Sequence, residues 1–328
     1  MSDCSADLQA RIVQARAAGE TLTLRGSGSY ADYLPAAGGE HLDISCHRGV
    51  VSYDPGELVI TVRAGTPLLE IDALLAQHNQ RLGGECPHLS QEATIGGAIA
   101  MGLSGASRPF SGALRDFVLG VRMINGLGEI LSFGGQVIKN VAGYDVARLL
   151  TGSGGRLGLI LEVSLRVLPE PEQHFYRAIK MSSLPEAVRF TNELLSAAEP
   201  VTGASFHQGR LHLRFSGRST TMGRLRSSLG GDSEGPAWWE DLRRWDMPWG
   251  RPGWRSYRNH CAAQARTAGN WLSDWNGELI WSAEPEPTAD STRSLQPLGL
   301  AVGPAAAIEQ RLVAAFDPDG IFGSGRAV

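Results

Sequence analysis

Between Gly143 and Val167 the chain reads "GYDVARLLTGSGGRLGLILEVSLRV": a helix-like run, glycines at 152, 154, 155 and 158, then a strand-like run. Dinucleotide fingerprints and phosphate loops run the other way, from a strand into a helix whose N-terminus faces the anion. The spacing differs as well. Gly152, Gly154 and Gly158 give G-x-G-x-x-x-G, one residue longer than the dinucleotide pattern, and no Gly-Lys-Ser/Thr follows. A ligand at this loop is approached differently.

Glycine occurs 41 times in 328 residues, well above the usual ~7%. It clusters at 26–28, 83–84, 96–105, 120–135 and 152–158, as tight turns and close backbone approach to a ligand require. Tryptophan is distributed the other way, with all eight between Trp238 and Trp281. That shift, with the length, predicts a second domain of different character. A net charge of -4 with dispersed basic residues leaves no electrostatic footprint for nucleic acid. The first twenty residues mix acids and arginines, and no later stretch approaches 18 uncharged apolar residues, so a cytoplasmic chain without a transmembrane segment is expected. Cys4, Cys46, Cys86 and Cys261 form no C-x-x-C, which predicts neither zinc nor an iron-sulfur cluster and mostly buried, reduced thiols.

Leu8, Ile12 and Val13 predict an opening helix, and "TLTLRG" a strand entering "GSGSY". "LVITVRAG" (58–65) is a strand, followed by a helix with Thr66 as N-cap and Pro67 at its first position. "FVLGVRMINGLGEILSF" (117–133) reads as a hairpin, and "GLILEVSLRVLPEP" (158–171) as a strand closed by prolines. After Pro171, "FYRAIKM", "LPEAVRFTNELLSAAE" and "RLHLRFSG" read as strand, helix and strand.

The run Arg25, Gly26, Ser27, Gly28, Ser29, Tyr30 follows a strand, and its consecutive N–H groups suit an anion nest around a pyrophosphate; a plain glycine turn is the alternative. In "ATIGGAIAMGLSG" (93–105) Thr94 offers a hydroxyl, while Gly96 and Gly97 admit either a flat ring or a closely packed helix. The loop at 152–158 can line an adenine site with backbone groups.

Taken in order, "LRGSGSY", "ELVITVRAGTPLLEI", "TIGGAIA", "KNVAGYDVARLLTGSGGRLGLILEVSLRVLPEP" and "FDPDGIFGSGR" resemble the vanillyl-alcohol-oxidase-like flavoproteins with a PCMH-type FAD domain. "RPFSGALRDFVLGVRMINGLGE" and "FGGQVIKNVAGYDVARL" are similar to the smaller, FAD-binding E subunits of bacterial glycolate oxidases. The resemblance implies an α+β fold: a PCMH-type FAD-binding domain of two α+β subdomains over 1–171, a separate α+β cap or interaction domain over 172–310, and a C-terminal segment, 311–328, returning to the FAD domain. It implies noncovalent FAD, since "RGSGSYADY" lacks the His or Cys to which flavin is often attached in related enzymes. Carried over by motif, Arg25 to Tyr30 surround the pyrophosphate. Thr94, Ile95, Gly96 and Gly97, with Ser104 and Gly105, run beside the ribityl chain and ring. Gly152, Gly155, Gly158 and Ile160 reach the adenosine end. The chain departs from the family pattern at Gly102, where many relatives carry Asn, at Gly155-Arg156-Leu157-Gly158, where Gly-Thr-Leu-Gly is common, and at Gly323-Ser324-Gly325 in place of Asn-Pro-Gly.

Oxidising a 2-hydroxy acid needs a cation for the carboxylate, a base for the hydroxyl and a hydride acceptor. His88 is a candidate base, with a solvated or core histidine as the alternative; Arg108 and Arg115 are candidate cations for the carboxylate, although Arg115 beside Asp116 reads more simply as an ion pair. The region 172–310 has no His-x-His pair or other metal-ligand cluster, so no metal is expected. The tryptophan-rich stretch reads either as a docking surface or as cap core. The resemblance implies an FAD-dependent oxidoreductase subunit that acts in oxidising glycolate to glyoxylate, with a larger FAD-containing catalytic subunit and an iron-sulfur subunit as partners, cytoplasmic or peripheral at the inner membrane through them. Two alternatives stand: a self-sufficient FAD oxidoreductase acting on another alcohol or hydroxy acid, and an assembly subunit with a partly vestigial FAD site.

Overall fold

The computed structural model describes residues 2–31, 38–135, 145–248, 250, 254–257, 271–282 and 304–323. Cys261, Trp249, residues 136–144 of one family motif and Ser324-Gly325 lie outside the described residues. The chain divides into two compact units: Met1–Leu103 with Leu114–Pro169 and Gln296–Val328, and Ser104–Ala113 with Glu170–Leu295.

In the first unit, α1 (Ser5–Ala18) buries Leu8, Ile12 and Ala15 and stops at Gly19, whose φ of 67° admits a left-handed C-cap. Val13, expected on the buried face, is 48% exposed, because steps of four and three from Leu8 lead to Ile12 and Ala15 and leave Val13 turned away. Strand β1 (Leu22–Arg25) pairs in parallel with β2 (Glu40–Asp43). A larger sheet contains β3 (Val50–Asp54) and β4 (Val59–Arg63), and α2 (Leu68–Ala76) follows. Thr66 does not cap α2. Pro67 takes the N-cap position with ψ 139°, and the Thr66 hydroxyl instead accepts the Gly49 N–H at 2.9 Å and donates to the Arg63 carbonyl at 2.7 Å. Next come β5 (Gln80–Leu82), α3 (Ile95–Met101), β6 (Val118–Ile124), β7 (Ile130–Gly134) and β8 (Leu159–Pro169). The sheet order is β3-β4-β8-β6-β7, with β5 also on β8. At the β6–β7 turn, the Asn125 side-chain oxygen accepts the N–H groups of Leu127 and Glu129 at 3.1 and 2.9 Å, so the hairpin is locally encoded.

Strand β8 serves two cores. Leu159 and Leu161 pack with Leu8, Ile12 and Leu22, whereas Val163, Leu165 and Val167 pack with Ile60, Val62 and Ile71. In an unbroken strand these alternate residues would share one face. The pairing shifts between Arg122↔Glu162 and Met123↔Ile160, and this bulge inserts the extra residue that reverses the faces. Ile160 thereby joins the second core.

The second unit contains β9 (Gln173–Lys180), α4 (Leu184–Ser196), β10 (Val201–His207), β11 (Arg210–Gly217), α5 (Ser219–Ser228), β12 (Asp232–Ser233), α6 (Ala237–Arg244), β13 (Trp254–Tyr257), β14 (Trp271–Asp274) and β15 (Leu279–Ser282). Their order in the sheet is β12-β9-β11-β10-β14-β15-β13. Ser183 caps α4, its hydroxyl oxygen accepting the Glu186 N–H. Strand β10 carries a weak sequence signal because "VTGASFH" is rich in small residues, and its Gly203 is needed: a Cβ there would lie 2.6 Å from the Trp239 ring. Trp239, Trp245, Trp275 and Trp281 are buried, so these four are core.

Helix α7 (Pro304–Phe316) belongs to the first unit, where Leu312, Val313 and Phe316 pack against the β-sheet core. Beyond it, buried Asp317 accepts the Ile321 and Phe322 N–H groups at 2.8 Å each. The Ile321 carbonyl accepts the Leu22 N–H, which ties this segment to β1. Cys86 is buried, but Cys4 is half-buried and Cys46 exposed, which corrects the expectation of mostly buried thiols.

Candidate FAD-binding site

The first unit holds a cavity of ≈ 280 Å³ with three glycine-rich walls. The first wall is the loop after β1. Gly28 has φ +76°, a conformation that favours glycine. Ser27 and Ser29 hydroxyls lie 2.6 Å apart, and Ser29 is as close to Ser90. Tyr30 is buried and donates its hydroxyl to the Pro87 carbonyl; burial pushes its pKa well above the ordinary range, so it stays a neutral donor. Among the described residues, the main-chain N–H groups of Ser27, Gly28, Ser29 and Tyr30 have no protein acceptor. The Arg25 guanidinium lies over the same loop, its Nε and Nη2 each 2.6 Å from where a Gly28 Cβ would be.

The second wall is the start of α3. The Thr94 hydroxyl oxygen caps the helix by accepting the Gly97 N–H at 3.2 Å, which leaves its proton free to donate. Gly96 packs so tightly on the end of β4 that a Cβ would come 2.7 Å from the Ala64 Cβ. Its N–H donates to the Ala64 carbonyl at 2.8 Å. Gly97 faces Tyr30, with 3.3 Å between a built Cβ and the ring.

Gly154, Gly155, Gly158 and Ile160 supply the third wall. The opening glycine run has a structural task as well: the Gly152 and Gly154 N–H groups donate to the Ile99 and Ala100 carbonyls at 2.9 and 2.8 Å, closing the C-terminal end of α3. A Cβ at Gly102 would stand 2.8 Å from the Gly152 Cα. Gly102 has φ 63°, in the left-handed region that favours glycine.

Of the residues predicted from the motifs, Arg25 to Tyr30, Thr94, Gly96, Gly97, Gly155, Gly158 and Ile160 line this one cavity. Ile95 instead lies in the core, fully buried, and Gly152 is held against α3 outside the lining. Ser104 and Gly105 belong to the second unit. Ala64, Met101, Ile44 and His41 also line the cavity. Ala64 sits in the quoted "VRAGTP" motif, whereas His41 and Ile44 carry no motif and join the wall because β2 pairs with β1.

The two candidate catalytic residues fall in different units. His88 is buried with Nε2 3.4 Å from Asp72 Oδ2. Arg108 has its guanidinium carbon 4.5 Å over the Trp275 ring, a cation–π contact. Arg115 and Asp116 meet at 4.0 Å. Among the described residues there is no group of three or more metal-ligating side chains, and no helix is long and apolar enough to cross a membrane.

Residues 3–134 match the FAD binding domain family. The chain is 42% identical over 282 residues to glycolate oxidase subunit GlcE of Escherichia coli K12, covering 85% of this chain and 80% of that protein. Glycolate oxidase subunit GlcD of Bacillus subtilis is 29% identical over 53% of this chain, a match spanning 37% of that longer protein. A solved structure of alkyldihydroxyacetonephosphate synthase superposes with a TM-score of 0.65 over 96% of this chain at 15% identity, a likeness of fold. The cavity fits FAD: the N–H groups and cation at the first loop suit a diphosphate, and the glycines of the other walls leave room for flat rings against the backbone. With the cofactor domain, the fold and a relative matched across both units in agreement, this chain is an α+β flavoprotein of the PCMH type whose cofactor is FAD, and it belongs to the GlcE family of glycolate oxidase subunits.

Proposed function

We propose that the chain is the FAD-binding subunit of a glycolate oxidase complex that oxidises glycolate to glyoxylate and passes the electrons to partner subunits. The observation that carries this reading is the extent of the GlcE match. It covers 85% of the chain, whereas the D-lactate dehydrogenase of Anaerostipes hadrus matches over 49%. A family-wide FAD domain accounts for the shorter match, and the longer one includes sequence of the second unit. In this reading the first unit, Met1–Leu103 with Leu114–Pro169 and Gln296–Val328, holds FAD, and the second, Ser104–Ala113 with Glu170–Leu295 rather than residues 172–310, forms a cap that carries partner contacts. The partners are a larger FAD-containing catalytic subunit and an iron-sulfur subunit, and the chain is cytoplasmic, reaching the inner membrane through them.

When bound, FAD supplies the hydride acceptor. Arg25 and the N–H groups of residues 27–30 hold the diphosphate. Thr94, whose hydroxyl can donate, and Gly96 and Gly97 position the ribityl chain and ring, while Gly155, Gly158 and Ile160 enclose the adenosine end. Co-expression of the tagged chain with both partners tests the assembly. A complex that reduces a dye on addition of glycolate is expected; a chain that purifies alone from cells containing both partners overturns it.

The flavin is held without a covalent bond, since the 25–30 loop contains no His or Cys. Acid precipitation is expected to leave all yellow colour in the supernatant. A yellow pellet contradicts this, and His41, which lines the cavity, becomes the residue to examine for attachment.

A further inference from the structure

Two side-chain contacts brace the 25–30 loop from the segment between β5 and α3. The Tyr30 hydroxyl donates to the Pro87 carbonyl at 3.2 Å, and the hydroxyls of Ser29 and Ser90 lie 2.6 Å apart. Ser27 continues the second contact, its hydroxyl 2.6 Å from that of Ser29. Ser27 and Ser29 line the cavity, whereas Ser90 lies outside the lining and is exposed. The main chain holds Ser90 in place. Neighbouring Leu89 is buried, the Ser90 carbonyl accepts the Ala93 N–H at 3.2 Å, and the Ala93 carbonyl accepts the Leu68 N–H, at the start of α2, at 2.8 Å.

Each hydroxyl in this row of three has one proton to donate and lone pairs with which to accept. Two protons make the two links, so the direction of the row decides what the lining hydroxyls present. If Ser27 donates to Ser29 and Ser29 to Ser90, only lone pairs remain for the cavity, and these repel a phosphate oxygen. If Ser90 donates to Ser29, the Ser29 proton is released to Ser27 or to the ligand, and in either case a proton meets the anion. Exposure lets water donate to the Ser90 oxygen and sustain this direction. Hydroxyls linked in one direction also polarise one another, which makes the last donor stronger than a lone serine.

We propose, on the reading that sets the diphosphate of FAD at the 25–30 loop, that Ser90 is a positioning residue for the cofactor: it donates to Ser29 and so aims the Ser29 and Ser27 protons at the diphosphate without touching FAD itself. The segment that carries Ser90 leads into Thr94, Gly96 and Gly97 of the second wall. One short stretch thus sets both the donors of the first wall and the start of the second.

The test titrates FAD into the full-length apoprotein, followed by flavin fluorescence, for the parent, Ser90→Ala, Ser90→Thr, Ser29→Ala and the Ser29→Ala/Ser90→Ala pair, with apoprotein melting midpoints measured alongside. Ser90→Ala should weaken FAD binding about three- to tenfold, the range for one hydrogen bond, and leave the apoprotein midpoint unmoved. Ser90→Thr keeps the hydroxyl and should bind within about twofold of the parent. In the Ser29→Ala background the Ser90 substitution should cost nothing further, because its effect passes through Ser29. Unchanged affinity in Ser90→Ala, no recovery in Ser90→Thr, a lowered apoprotein midpoint, or an equal loss in the Ser29→Ala background each overturns the role, the last two marking Ser90 as a brace for its turn. Failure of the loop reading gives a different result: Ser29→Ala and Gly28→Val then both bind FAD as the parent does.

Discussion

Replacing Gly28 with valine is expected to leave a soluble, folded chain whose affinity for FAD falls at least about 100-fold, or ~2.7 kcal/mol. Gly28 has φ +76°, where an ordinary side chain costs roughly 1–2 kcal/mol and a β-branched one more. The added Cβ would stand 2.6 Å from Arg25 Nε and Nη2, so the guanidinium must leave its place over the loop. Relief of the backbone strain turns the N–H groups of residues 27–30 out of register. Each hydrogen bond to a charged group contributes about 1.5–3 kcal/mol, so losing two of them accounts for the predicted fall. A Cβ at Gly223 meets nothing within 4 Å, which makes Gly223→Ala the control that should bind normally. Titrating FAD into each apoprotein while following flavin fluorescence measures the difference. Full flavin occupancy in Gly28→Val would mean that the loop is a plain glycine turn.

The isolated chain is expected to bind FAD but to show no glycolate-dependent bleaching of the flavin band, at a rate at least about 100-fold below that of the complex. That factor is the lower end of what a positioned acid–base group contributes. His88 is paired with Asp72 and buried, and Arg108 is stacked on Trp275, so each candidate already has a structural partner. The four cysteines form no C-x-x-C, and in the proposed reading a partner subunit carries the electrons away. Stopped-flow absorbance of the chain alone, then of the chain with its partners, distinguishes the readings. Rapid bleaching of the lone chain would establish a self-sufficient oxidoreductase, and His88 and Arg108 would be the first residues to substitute. A purified chain that takes up no FAD would favour the vestigial site instead.

Local chemistry determined much of the first unit. Strand β4, the β6–β7 hairpin with its Asn125-Gly126 turn and the stop of α1 at Gly19 depend on residues a few positions apart, so periodicity and turn chemistry suffice to read them. The 25–30 loop and the Thr94–Gly97 turn, singled out for their small residues in succession, both line one cavity. Other features depend on neighbours distant in the chain. Thr66 reads as a helix cap, but β3 brings Gly49 to its hydroxyl. "LILEVSLRV" reads simply as a strand, and the pairing shift at Met123 divides it between two cores. Gly152 reads as a ligand contact, yet the fold offers it the open carbonyls of α3. The tryptophan-rich stretch was ambiguous because large apolar side chains serve cores and docking surfaces alike, and burial of Trp239, Trp245, Trp275 and Trp281 was decided by the sheet they meet. Side-chain period and turn preference are written within a few residues, but which partner satisfies a donor or covers an apolar face is settled by whichever segment the folded chain brings there.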